Sequence, residues 1–214
     1  DNLSEFVEFA KISKLKLNAK VRSISPFETN FYLLDREPSL LEYSAFCGSL
    51  NIFNYLFGEK VEIKPKVFSY AIHGCNIEII QKIENFFNLA DSSQISKVSQ
   101  NLKDCFLEGI KCHHNEMASY IQNKFLKEIP VKYIEMSISS FNFVMIENAV
   151  NSEKNQNLLT DKKEIQNLFN CFCASGYINF VNLFLNQPDL IDVNAKESIR
   201  FFNIFFFLIS DGVF

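Results

Sequence analysis

Apolar positions at helical spacing come in pairs of short runs divided by a polar or glycine break. The clearest pair covers residues 39–56: Leu40, Leu41 and Ala45, then Gly48 and Ser49, then Leu50, Ile52, Phe53 and Leu56. The same succession returns from Lys66 to Ile83 and three more times downstream. Aligned on the residue before the second run's apolar pair, the copies fall at Asn51, Glu78, Glu116, Val144 and Asn179, with steps of 27, 38, 28 and 35 residues. The first run supplies one large apolar residue, at Leu41, Phe68, Phe106, Ile134 and Phe169. Three positions on stands a small one, at Ser44, Ala71, Gly109 and Ser137, with Phe172 as the exception.

A short helix with one large and one small residue can lie close against the next copy, and the second helix then covers its other side. No copy buries its apolar face alone, so the pattern predicts an all-α repeat array. A single irregular helical bundle is the alternative. Residues 2–12 predict a helix after Asn2, with Ser4 as an alternative cap, and Phe27 to Leu34 complete an N-terminal capping pair over residues 1–37. The repeats then occupy residues 38–196. Polar runs at Asp91–Gln100 and Asn151–Asn157 are expected as surface loops. Residues 197–214 are Phe-rich and are expected to be an incomplete sixth repeat or a truncated tail, because their helix is apolar nearly all round.

These residues resemble the ankyrin repeat, whose period is about 33 residues and whose consensus reads Thr-Pro-Leu-His-x-Ala-Ala, two variable residues, then Gly-His-x-Glu-Ile-Val. Ser39 to Leu56 matches it best, and the last copy, Gly176 to Phe184, leads to the closing string Asp192, Val193, Asn194, Ala195. The Thr-Pro pair is absent, Gly survives in two of five copies, and the consensus His is missing where the alignment expects it. The resemblance therefore implies an ankyrin-type helical repeat solenoid with irregular or degenerate hairpin turns. Its Asn-, Phe- and Ile-rich style is similar to divergent ankyrin proteins of parasitic protists.

Composition and charge narrow the partners. The 21 basic and 25 acidic residues are scattered, for a net charge of −4, so no basic stripe is offered to nucleic acid. The longest apolar stretch, Phe201 to Ile209, falls short of the roughly 20 residues of a membrane span. Asp1 opens no basic-then-apolar leader, so no signal peptide is expected. Cys47, Cys75, Cys105, Cys112, Cys171 and Cys173 are read as buried free thiols in a reducing compartment, which makes the expected location cytoplasmic. The chain is expected to be a monomer.

Candidate chemistry is thin. Cys105, Cys112, His113 and His114 are zinc-ligand types, with Cys171 and Cys173 downstream, but their spacing lacks the paired ligands of a structural site. No metal or other cofactor is expected. No cysteine carries a nucleophile signature, His73, His113 and His114 read as solvated or capping residues, and no glycine cluster cradles phosphate. Glu59 and Glu62 read as solvated loop charges. An enzyme is not expected.

What remains is surface. The resemblance places partners on a concave face whose tips carry the two residues before the Gly position: Phe46 and Cys47, His73 and Gly74, Lys111 and Cys112, Ser139 and Ser140, Ala174 and Ser175. Tyr43, Phe46, Tyr70, His73 and Lys111 are the expected protein-binding residues, because aromatics dominate binding hot spots. Packing of the rings against the next copy is the competing reading. The expected function is a non-catalytic scaffold for another protein. The alternatives are a regulatory array of a larger enzyme and a helical bundle with a small-molecule pocket.

Overall fold

Each of the five breaks is a helix C-terminus closed by one left-handed residue: Gly48 (φ 64°), Cys75 (φ 50°), His113 (φ 59°), Phe141 (φ 56°) and Gly176 (φ 72°). Each stands four positions after the small residue, or its Phe172 counterpart, and four before the apolar pair. In four copies the next amide donates back to the carbonyl of that residue: Ser49 to Ser44, His114 to Gly109 and Asn142 to Ser137 at 2.8 Å, and Tyr177 to Phe172 at 3.0 Å. This is the Schellman closure, which satisfies helix-end carbonyls and turns the chain into the next helix. Glycine adopts it freely at two copies. At the other three an L side chain accepts a conformation that costs about 1–2 kcal/mol.

The computed structural model describes residues 1–22, 31–34, 36–59, 61–126, 132–151, 162–185 and 191–192. Among them are thirteen helices and no strand; the only extended pairing there is an isolated bridge between Lys20 and Ser39. The chain divides into two compact units, Asp1–Ile129 and Pro130–Phe214. The first holds α1 (Leu3–Ile12), α2 (Phe31–Leu34), α3 (Leu40–Phe46), α4 (Leu50–Gly58), α5 (Val67–Gly74), α6 (Ile77–Phe86), α7 (Ser92–Lys97), α8 (Ser99–Lys111) and α9 (Asn115–Phe125). The second holds α10 (Lys132–Ser139), α11 (Phe143–Asn151), α12 (Lys162–Ala174) and α13 (Ile178–Leu185).

In the first unit α3, α5 and α8 lie side by side, and each meets its own second helix, α4, α6 or α9. In the second unit α10 lies against α12, and each meets its own partner, α11 or α13. All five large residues, Leu41, Phe68, Phe106, Ile134 and Phe169, are buried. Gly109 faces α9, where an added Cβ would sit 3.2 Å from the Cβ of Ala118. Neighbouring copies approach closely at Gly74, where a Cβ would collide with the Ala45 carbonyl oxygen and come within 2.9 Å of that of Phe46. Gly74, expected among the variable surface positions, is where two backbones meet.

The first helix follows its pattern. Asn2 caps α1 by accepting from the Glu5 amide at 3.3 Å, while the Asp1 carboxylate accepts from the amides of Asn51 and Ile52 at 2.8 and 3.0 Å. It thereby caps α4, whose own N-cap residue Ser49 makes no side-chain bond. Glu42 completes a capping box with Ser39 and pairs with Lys66 at 3.1 Å. Glu84 ties α6 to α9, accepting from the Tyr120 hydroxyl at 2.9 Å and from Lys124 at 2.8 Å. These buried or nearly buried carboxylates are partnered across copies, as burial of charge requires.

Three expectations need correction. The polar run at Asp91–Gln100 is helical: Asp91 accepts from the Ser93 amide at 2.8 Å and starts α7, and α8 begins at Ser99. Local capping organised a segment that lacks apolar periodicity. Only Cys105 and Cys171 are buried, whereas Cys47, Cys75 and Cys173 are exposed and Cys112 is half-buried, because the exposed three sit at or beside helix ends. With His113 as the left-handed residue, His114 stands directly after the closure, where no histidine was expected. Phe27, residues 152–157, Val193 to Ala195 and residues 197–214 lie outside the described residues.

Candidate functional site

The C-terminal ends of α5 and α8 bring three donor groups together. Glu108 and Cys112 stand four apart and therefore share one face of the final turn of α8. His73 comes from the last turn of α5. Its Nδ1 is 3.1 Å from Glu108 Oε1 and 3.2 Å from Cys112 Sγ, and the thiol donates to Glu108 Oε1 at 3.3 Å. The second carboxylate oxygen, Oε2, has Lys111 Nζ at 4.0 Å.

Neighbouring groups hold the imidazole in place. The Phe46 ring stacks on it at 4.0 Å with planes 3° apart, and Tyr43 stacks on Phe46 at 6.0 Å. The His114 Nε2–H donates to the His73 carbonyl at 3.0 Å, a bond between one copy's turn and the next. Asn76 does the same to the Gly48 carbonyl at 3.2 Å.

A Cys, His and carboxylate trio invites comparison with a nucleophilic relay. A relay uses both imidazole nitrogens, one taking the thiol proton and the other held by the carboxylate. Here sulfur and carboxylate meet the same nitrogen. Burial, followed by the charge of Glu108, pushes the Cys112 thiol up to about 12, so it stays protonated at neutral pH. Burial likewise pushes the Cys105 thiol up, beside the Ser69 hydroxyl at 3.5 Å. Neither thiol is an activated nucleophile.

Of the five residues expected at a protein interface, Tyr43, His73 and Lys111 are half-buried along the ends of the first helices. Phe46 and Tyr70 are buried, at 6% and 1% exposure, and this corrects the expectation of exposed rings. Phe46 is spent on His73. The Tyr70 hydroxyl donates to the Leu33 carbonyl at 2.9 Å, and burial, then Glu42, pushes its pKa up to about 12. Tyr70 fastens α5 to the N-terminal segment.

Ligand spacing along the chain does not reveal the trio, because His73 stands 35 or more positions from its two partners. Aligned by their left-handed residues, His73 and Lys111 are equivalent positions in adjacent copies, so Cys112 follows the counterpart of His73. That registration was the available signal. A mostly apolar cleft lined by Pro65, Phe68, Phe87, Leu89, Val98, Asn101 and Leu102 spans about 190 Å³ with open solvent included, less than the ~300 Å³ of a small-molecule site. Among the described residues no helix is long and apolar enough to cross a membrane. Comparison with protein-family models, curated proteins and solved structures returns no match.

Proposed function

We propose that this chain is a non-catalytic scaffold of ankyrin-type repeats, cytoplasmic in location, that holds a partner protein along the ends of its first helices. One observation carries the reading: five left-handed closures recur at one register, each followed by a second helix. A repeat register fixes where side chains at the turn stand relative to their counterparts in the neighbouring copy, which is how a repeat surface is built. The side-by-side order of α3, α5 and α8, and of α10 and α12, supports it within each unit. The raised thiols at Cys105 and Cys112 support the non-catalytic half.

Tyr43, His73 and Lys111 form the accessible part of that edge in the first unit, with Phe46 as the ring that positions His73. The test is capture of partners from native lysate by the parent and by a Tyr43→Ala, Lys111→Glu double variant. Helicity should be unchanged and the captured protein lost. Equal capture by both would remove this edge as the interface.

A further inference from the structure

We propose that His73, Glu108 and Cys112 bind one divalent cation of zinc's class between the C-terminal ends of α5 and α8. Their ligand atoms, Nδ1, a carboxylate oxygen and Sγ, lie within 4.8 Å of one another. Four-coordinate zinc, with bonds of about 2.3 Å to sulfur and 2.0–2.1 Å to nitrogen or oxygen, holds such atoms roughly 3.3–3.6 Å apart. The separations here are 3.1, 3.2 and 3.3 Å, so an ion needs an outward shift of a few tenths of an ångström. The trio is thus already gathered around one point.

The donor set selects the metal class. One sulfur and one imidazole favour zinc and its neighbours over magnesium or calcium, which take oxygen ligands. The imidazole is preoriented, clamped on the Phe46 ring with its carbonyl held by His114. Three protein ligands leave a fourth position for water, and the half-buried His73 and Cys112 keep the point reachable from solvent. Without an ion, the thiol and the ring share Glu108 through hydrogen bonds. Binding sends the Cys112 proton to solvent, and the proton that Nδ1 donates to Glu108 exchanges through solvent to Nε2, which frees the Nδ1 lone pair for the ion. The ion then joins two adjacent copies, so metal affinity becomes stability of the α5–α8 contact. This holds whether or not the scaffold reading is correct.

The experiment titrates the chelator-treated full chain with Co²⁺, then displaces it with Zn²⁺. One equivalent should bind, giving a thiolate-to-cobalt charge-transfer band, and zinc should raise the melting temperature. Cys112→Ser should abolish the band and weaken zinc by more than the roughly 10- to 100-fold typical of losing an outer-shell partner. His73→Gln reads the same loss should Cys112→Ser reduce helicity. A variant with Cys47, Cys75 and Cys173 all changed to Ser should keep the band, since those exposed thiols are not ligands. Absence of the band in the parent, its survival in Cys112→Ser, or its loss in the triple variant would each overturn the proposal.

Discussion

The two units close their helices in the same way and fill the space behind the closure differently. In the first, the residue four before the left-handed position is small, at Ser44, Ala71 and Gly109, and backbones approach until Gly74 nearly touches the α3 carbonyls. Cross-copy ties there include charged pairs, Glu42 with Lys66, Glu84 with Lys124 and Glu108 with His73, beside isolated ring contacts such as Phe46 on His73 and Phe57 on Phe86. In the second unit that residue is Ser137 and then Phe172. The Phe172 ring meets Tyr177 edge-on at 5.9 Å and Phe184 at 5.8 Å, while Tyr177 also meets Phe141 and Phe143 at 5.6 and 5.5 Å. One turn geometry therefore supports close backbone contact in one unit and an interlocked ring cluster in the other. Phe172 broke the small-residue rule because its volume is what its neighbours pack on.

The largest effect expected from this contrast is at Phe172→Ala, which should cost about 3–5 kcal/mol as a cavity replaces the ring. Hydrogen exchange should quicken through α10 to α13. A cost no greater than that of a surface change would mean the rings are not the second unit's core. Next comes the converse crowding. Gly74→Ala and Ala71→Phe should each cost about 1–3 kcal/mol or more by overpacking the first unit, read in denaturant melts. Gly58→Ala is the matched control, because a Cβ there has open space around it, and it should be neutral or slightly stabilising.

The smallest expected effect separates the units at the turn itself. Cys75→Gly should stabilise by up to about 1 kcal/mol, since the left-handed strain is relieved and little of the exposed side chain's packing is lost. Phe141→Gly relieves the same strain but deletes the ring stacked on Tyr177, so its melting temperature should not rise. If both variants gain equally, the Phe141 ring contributes nothing to the second unit.

Much of this was legible along the chain. Alternation of large, small and break positions located all five closures, because a helix end, its cap and its buried face are written within about a dozen neighbouring residues. Asn2 as the cap of α1 was legible for the same local reason. The exposure of Phe46 and Tyr70 was misjudged, since register shows only which side of a helix a ring occupies. Whether a neighbouring carbonyl or imidazole covers that ring depends on the adjoining copy. The helicity of Asp91–Gln100 was missed because it rests on capping and on continuity into α8 rather than on apolar period.

The sequence alone determined an all-helical chain of repeated helix pairs and the register at which each pair turns, because those depend on contacts a few residues apart. Only the tertiary structure decided that Gly74 is a backbone crossing, that Tyr70 is an internal strut, and that His73 meets Glu108 and Cys112. Each of those facts joins residues about 25 or more positions apart. Such pairs are set by how closely one copy settles on the next, and that distance follows from the summed volumes of side chains on both helices.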